Sequence, residues 1–525
     1  MALNASIEWA LMPRSMSSSV DPMNEKHEWV WVALIIFLFL LVNVFTAERY
    51  PYPFFDEVIY TDPAVNYVTG HGFTAAVPGE DSPVFYFYNG PAHSALLIPW
   101  LNIFGISMRS VRSINFVYMA LTVLLIWSAV KRIGLVLSTR WRFLLISMLM
   151  CDYSIICSYR CGRYDCLGML IVAFAFWSFS LRSTPLRLTA LAIAGAASPW
   201  VGLQLLPLEA ILGITILAFT LLRYWREIGV FAVGIVAGTF GLVRFLARHD
   251  VLEYFLKFVH SPTKGFWFVG GLLQGEFRHS NTLPKDFSLP LLLGSALLLA
   301  VVLYGNRSLR LRSLLMYGLV FVPLLGFTLV LVAHFPTYYG WMMYIPLAVC
   351  VCGSLGRDVP ASVRTLAVSL CVLASTVGVG LHVLACVGDW KDRDYSKVQQ
   401  FVTLNIRSDD RAYIDPQAYY PAKLTGAATF FWDPEGRMSS TQKSRLTVCV
   451  IGPERVGLLK DLGGSWYSTG QELIPAHTGL FGRNMKWGFL SLPNYRLSVF
   501  RRVPISENLS ADGEERLVID QFTKR

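Results

Sequence analysis

Charge is what this chain has least of. Asp, Glu, Lys and Arg make up 15% of its 525 residues, against about 25% in an average soluble domain. With 54% hydrophobic residues and a mean hydropathy of +0.48, the composition excludes an ordinary water-soluble globule. Nucleotide signatures are missing too. There is no P-loop and no Rossmann glycine fingerprint, so no glycine loop is spaced to cradle a phosphate at a helix start. The absence of a G-x-S-x-G elbow removes α/β-hydrolase chemistry. Neither H-x-x-x-H nor C-x-x-C occurs, so no pair has the spacing of a zinc site. Internal repeats and low-complexity tracts are also lacking.

What fills the chain is a series of apolar runs, several near the roughly 18 residues needed to cross a bilayer. They lie at 29–46, 111–130, 143–158, 166–181, 188–199, 200–222, 230–246, 288–304, 314–333, 342–356 and 365–386. The composition and these runs predict a polytopic α-helical membrane protein of about eleven transmembrane helices. The pair 188–199 and 200–222 requires a tight reversal at Ser198-Pro199-Trp200. The first run reads as a retained signal anchor, because Glu48-Arg49-Tyr50-Pro51 is not a cleavage context.

The net charge of +10 collects between the runs and is no sign of a nucleic-acid partner. Loops 131–142, 182–187, 223–229, 305–313 and 356–364 each hold at least two Arg or Lys. The alternate loops hold Asp56, Glu57, Asp62, Glu80, Asp81 and Asp165. The positive-inside rule then puts the N-terminus in the cytoplasm and the acids outside. The expected division is a cytoplasmic tail at 1–28, a membrane domain at 29–387 and an extracytoplasmic α/β domain at 388–525. Within the membrane domain, 47–110 forms a first outer loop and 247–287 a long outer loop. Residues 92–104 and 251–259 are too short to span and suit helices lying in the interface. After Trp390 charges, Pro and Gly rise, and RAYID, RLTVCVIG and YRLSVF read as strands, with ERVGLLKDL as a helix between them. Nine cysteines mostly sit in apolar runs as small hydrophobes. Cys161 and Cys166 flank a polar helix end and are candidates for a disulfide.

The stretch FFDEVIYTDPAVNYVTGHGF (54–73) sets two adjacent carboxylates, Asp56 and Glu57, and then Asp62 just beyond a hydrocarbon run. One reading is a solvated loop. The other is a site where a carboxylate among aromatics acts as a general base. SYRCGRYDCLG (158–168) adds Asp165 behind Arg160 and Arg163. Two guanidiniums there suit a phosphate, and equally suit helix-end chemistry with arginines snorkelling to headgroups. His260 and Lys264 in FVHSPTKGFWF offer a second phosphate contact or an interfacial aromatic belt. Asp56 and Asp165 are the candidate ligands for a divalent cation, the one cofactor considered.

These motifs resemble the GT-C membrane glycosyltransferases, in the branch of the protein O-mannosyltransferases and lipid A aminoarabinose transferases. The resemblance rests on Asp56, Glu57, Tyr60, Ala64 and Gly72-Phe73 in the first outer loop. NGPAHSALLIPWLNIFGISMRSVRSINFV (89–117) matches a Pro-rich turn, an interfacial helix and an Arg-led second span. GRYDCLGML (162–170) matches a second acidic motif, and YYGWMMYIPLAV (338–349) a late helix opening on tyrosines. It covers roughly the first 180 residues well, the rest of the membrane part loosely and the tail hardly at all. Ile59 and Gly90 stand where relatives carry Arg and Lys, so by the resemblance the donor-phosphate contacts fall to Arg109, Arg112, Arg160, Arg163 or Lys264.

The resemblance implies an inverting glycosyltransferase of the bacterial inner membrane, with a polyprenyl-phosphate sugar as donor and a glycan, lipid or protein hydroxyl as acceptor. Asp56, Glu57 and Asp165 would be catalytic. Tyr60, Arg109, Arg112, Arg160, Arg163, His260, Lys264, Tyr338 and Tyr339 would bind donor or substrate. The rivals are a transporter or lipid-binding scaffold without chemistry, and an outer-face polysaccharide polymerase or ligase using lipid-pyrophosphate donors. Mid-membrane charges and broken repeats would favour the transporter.

Overall fold

A computed structural model describes residues 22–51, 53, 55–75, 90–136, 138–219, 224–259, 288–305, 340–357, 359–388, 390–431, 438–475 and 494–503. His260, Lys264, Tyr338, Tyr339 and the run 314–333 lie outside the described residues. The chain divides into two compact units: one of residues 1–45, 87–93 and 112–384, the other of 46–86, 94–111 and 385–525.

In chain order the helices of the apolar part are α1 (Pro22–Thr46), α2 (Phe55–Val68), α3 (Ala92–Phe104), α4 (Met108–Arg132), α5 (Thr139–Cys151), α6 (Tyr153–Tyr159) and α7 (Asp165–Phe179). There follow α8 (Thr184–Val201), α9 (Leu205–Phe219), α10 (Trp225–Arg248), α11 (Leu252–Val259), α12 (Ser288–Gly305), α13 (Trp341–Leu355) and α14 (Ala361–Gly388). Among the described residues four helices are long and apolar enough to cross a membrane: α1 from His27, α4, α10 and α14. A fifth is gained if α5 and α6 form one bent span. That is fewer than the eleven hydropathy runs: α7, α9, α12 and α13 are apolar but shorter, α8 is not among the spanning helices, and the run 314–333 lies outside the described residues.

Two boundaries differ from the sequence reading, each for a local reason. The run 143–158 breaks by 58° at Asp152. Asp152 is extended, and its Oδ1 accepts from Ile155 N–H at 3.0 Å and Ser154 Oγ at 2.6 Å. It therefore starts a new helix instead of continuing the old one. The reversal expected at Ser198-Pro199-Trp200 is absent: all three lie inside α8, and the chain turns after Val201. Proline removes one backbone donor, and a helix packed on its neighbours tolerates that.

Polar contacts tie each end of the first unit. At one end Glu28 is buried and accepts from Arg142 Nε at 2.6 Å, Arg142 Nη2 at 2.7 Å, Trp127 Nε1 at 2.9 Å and Lys131 Nζ at 3.3 Å. At the other, Arg160 Nη1 donates to Asn43 Oδ1 at 2.8 Å, and Asn115 Nδ2 donates to the carbonyls of Cys161 and Arg163. The start of α1, the end of α4 and the start of α5 thus share one end, so α1, α4 and α5–α6 run up, down and up. In the same unit α8 and α10 meet backbone to backbone. A Cβ on Gly195 would lie 2.2 Å from Phe231 O, one on Gly234 2.4 Å from Ala192 O, and one on Gly238 2.2 Å from Ala196 O. This is the small-residue packing by which helices associate in lipid.

The second unit contains α15 (Tyr395–Asn405), β1 (Arg411–Ile414), α16 (Tyr419–Leu424), β2 (Ala428–Phe430), α17 (Ser440–Ser444), β3 (Val448–Ile451), α18 (Leu458–Leu462), β4 (Trp466–Leu473) and β5 (Leu497–Arg502). The strands form one mixed sheet of order β2-β1-β3-β5-β4, parallel from β2 to β3 and antiparallel beyond. Tyr413, Phe430, Met438, Leu446, Cys449, Ile451, Leu462 and Phe500 make its core. Helices and strands alternate in this segment, and β1, β3 and β5 fall on RAYID, RLTVCVIG and YRLSVF. β2 and β4 were not expected.

Candidate functional site

The acid-bearing helix α2 belongs to the second unit. Asp56 and Glu57 occupy its first turn, where the unsatisfied N–H groups and the helix dipole favour negative charge. Glu57 is fully buried and Asp56 half-buried. At its far end Gly70 and Gly72 take positive φ of 89° and 73°, conformations that glycine adopts without strain. They fold the G-H-G turn back so that Asn66 Nδ2 donates to Thr74 O at 3.0 Å. Tyr60 O accepts from Ser94 Oγ of α3 at 2.8 Å.

The other face of α2 is held by α16. The Tyr419 hydroxyl donates to Asp62 Oδ1. Tyr420 and Thr61 hydroxyls are 3.2 Å apart, and Thr61 Oγ1 donates on to Glu57 O at 2.9 Å. Lys423 Nζ donates to Asn66 Oδ1 at 2.5 Å and stands 3.9 Å from Asp62 Oδ1. Phe55 packs edge-on against Phe431, with centroids 6.2 Å apart. Burial raises Tyr419 well above the usual phenol range, and the Asp62 charge adds to this, so the hydroxyl remains a donor at any physiological pH. Asp62, which the sequence grouped with the other two acids, is thus an anchor point. Its partners Tyr419 and Lys423, and Tyr420 on neighbouring Thr61, escaped the sequence reading, since no motif links them to a loop more than 350 residues earlier.

Arg109 also belongs to this unit. It is half-exposed and pairs with Glu48 at 2.7 Å, a surface contact worth up to about 1 kcal/mol.

In the first unit the SYRCGRYDC turn leads into α7. Arg163 Nε donates to Asp165 Oδ2 at 2.7 Å, with each side chain only 1% exposed. Arg160 is also buried, with its guanidinium 5.9 Å from the Phe116 ring centre. Arg112, fully buried, lies one turn before Asn115 on α4, and Asn115 grips the turn. Buried His93 sits within 3.2 Å of Gly162 O through Nε2. A carbonyl only accepts, so Nε2 carries the proton. The three arginines are therefore drawn into protein rather than snorkelling to headgroups. Cys161 and Cys166 are buried free thiols, so the candidate disulfide is not formed. Among the described residues no group of three or more His, Cys, Asp or Glu side chains is arranged to hold a metal ion.

Asp56 and Glu57 fall in one unit, with Tyr60 and Arg109. Asp165, Arg112, Arg160 and Arg163 fall in the other.

No protein-family profile and no curated protein matches the sequence. Solved structures do match the fold. ArnT from Cupriavidus metallidurans bound to undecaprenyl phosphate superposes with a TM-score of 0.57 at 13% identity, over 90% of this chain and 98% of that one. ArnT in the apo state gives 0.57 at 14% identity over the same shares. The arabinofuranosyltransferase AftD from Mycobacteria gives 0.48 at 12% identity, over 90% of this chain and 40% of that one. The chain therefore shares its overall fold with the ArnT structures.

Proposed function

We propose that this chain is an integral-membrane glycosyltransferase. It moves a sugar from a polyprenyl-phosphate carrier to an acceptor hydroxyl at the extracytoplasmic face, with inversion. The observation that carries the reading is the Asp56–Glu57 pair on the first turn of α2 in a chain that shares its fold with the ArnT structures. The lipid class is taken from the undecaprenyl phosphate bound to the ArnT neighbour.

In this reading Asp56 removes the proton of the acceptor hydroxyl as its oxygen bonds to the anomeric carbon. The bond from that carbon to the phosphate oxygen breaks, and polyprenyl phosphate leaves. A positioned base contributes about 10²–10⁴-fold. Asp165 fixes the Arg163 guanidinium. That group, with Arg160 and Arg112, supplies positive charge for the leaving phosphate, an electrostatic term realised mainly in the transition state. Orientation is supported by the ends of the first unit. Lys131 and Arg142 gather at the Glu28 end, which the positive-inside rule makes cytoplasmic, and Arg160 and Asp165 belong to the opposite end.

The test is incubation of purified protein with a polyprenyl-monophosphate sugar, following release of polyprenyl phosphate. Wild type should release it, and Asp56→Asn should fold and insert yet lose about 10²-fold or more. Wild-type turnover by Asp56→Asn would remove the assigned base. Absence of release from any such donor by wild type would favour the scaffold or pyrophosphate readings.

A further inference from the structure

Resting on the transferase reading, we infer that the α16 segment of the C-terminal domain is a positioning device for the general base. Tyr419 and Lys423 clamp Asp62, and Tyr420 clamps Thr61, so that α2 presents Asp56 and Glu57 in one orientation.

Four observations carry this. The clamp acts on the same helix as the acids: six residues separate Asp56 from Asp62, about 9 Å along a helix axis. A second line of bonds reaches closer still, from the Tyr420 hydroxyl to Thr61 Oγ1 and from there to the carbonyl of Glu57, beside Asp56. Tyr419 and Tyr420 are adjacent, so one short element grips two successive α2 residues at once. Finally, the clamp is polar throughout and buried: Asp62, Thr61, Asn66, Tyr419 and Tyr420 are all inside. Apolar side chains of similar volume would serve stability as well or better, because buried charged groups are costly to desolvate. What hydrogen bonds add is direction: they fix the rotation and register of α2 in a way that apolar packing does not.

The place of the clamp fits the sheet. In α/β sheets the loops after the carboxyl ends of parallel strands form the crevice where ligands bind. Here Tyr419 and Tyr420 follow β1, and Phe431 follows β2. These are the residues that receive α2, so the domain's own crevice holds the acid-bearing helix.

Positioning predicts a particular kinetic signature. A misplacement of about 1 Å costs on the order of 10²-fold in rate, so Tyr419→Phe should lower kcat about 10- to 100-fold per folded molecule. KM for the polyprenyl-phosphate sugar should stay within about threefold, since the donor arginines are not moved. Lys423→Met should lose kcat likewise, and Lys423→Arg should recover most of it. The Tyr419→Phe/Lys423→Met pair should lose no more than the worse single change, because both act through Asp62. Folded protein is counted by size-exclusion chromatography in detergent, so that a loss of yield is not read as a loss of kcat.

Variants that lower yield but keep wild-type kcat would overturn positioning and leave a purely structural clamp. So would a rise in donor KM with kcat unchanged, or no rescue by Lys423→Arg. If Tyr419→Phe does not fold, the Lys423 pair decides alone. Failure of the wild type to release polyprenyl phosphate is a different result and sinks the transferase reading itself.

Discussion

The Arg163–Asp165 pair gives the sharpest separation of structure from chemistry. Its N···O distance is 2.7 Å and each side chain is 1% exposed. Arg163→Met removes the cation from a buried ion pair, a change that costs about 3–5 kcal/mol. Asp165→Asn should cost less, since a neutral amide oxygen still accepts one hydrogen bond from the Arg163 guanidinium. The double change Arg163→Met/Asp165→Leu removes both charges, and apolar replacement of a buried pair is often neutral or stabilising by about 1–4 kcal/mol. Folding should therefore be poorest in Arg163→Met and recover in the double variant. The assay is the fraction folded across an SDS titration in detergent micelles, read beside sugar transfer on the same samples. If the pair serves the leaving phosphate, the double variant is well folded and inactive. A double variant that transfers at the wild-type rate would refute a catalytic part for the pair. Single variants as stable as wild type would refute the buried ion pair itself.

Two further outcomes follow from packing and ionisation. Gly229 and Gly238 lie on the same helix α10, but an added Cβ meets nothing within 4 Å at Gly229 and the carbonyl of Ala196 at 2.2 Å at Gly238. Gly229→Ala should be neutral or gain up to about 1 kcal/mol from helix propensity. Gly238→Ala should lose about 1–3 kcal/mol, because backbone does not swing away as a side chain does. Equal effects in an SDS titration would contradict the close approach of α8 and α10. In the C-terminal sheet, burial works against ionisation of Asp410. Hydrogen bonds from Arg501, the Arg407 N–H and Thr447, with the Arg501 charge, outweigh it and hold the carboxyl below its ordinary value. A depressed folded pKa gives stability that is present above the unfolded pKa and lost as pH falls through the folded one. Asp415 is raised, chiefly by burial and against the opposing charge of Arg455, so it has the opposite slope and offsets part of the loss. Amide exchange in β1 and β3, corrected for intrinsic rate, should show stability falling below about pH 4. Asp410→Asn should flatten that acid limb, and an unchanged limb would reject the assignment.

The parts read well from sequence were those with local causes. Residues 92–104 fold as expected because their apolar spacing and the following Gly105 define both ends of a short helix. β1, β3 and β5 were visible as runs of β-branched and aromatic residues. β4 reads WYSTGQEL, exposed or half-buried along its length, so it carries no apolar signal. Asp152 looked like one charge inside a hydrocarbon run, and only its cap geometry shows that it breaks the helix. The acids and arginines of the candidate site stood out as charges in an apolar chain, but their burial did not. Whether a guanidinium points to lipid or to protein is decided by contacts remote in sequence, such as Arg160 with Asn43, 117 residues apart.

Burial of charge alone does not mark a functional site in this protein, and the two ends of the first unit show why. At the Glu28 end one carboxylate is surrounded by Arg142, Lys131 and Trp127. Arg142, Lys131 and Trp127 each donate to that one carboxylate, and the arrangement explains itself as a clamp joining the ends of α1, α4 and α5. At the opposite end Arg160 donates to Asn43 and Arg163 to Asp165, side chains that are buried as Glu28 is. Burial and pairing are thus alike at the two ends, and a removed charge destabilises the fold at either one. What separates a fastening from a site is therefore whether transfer is lost while folding is kept, which is the comparison that the Arg163→Met/Asp165→Leu variant makes.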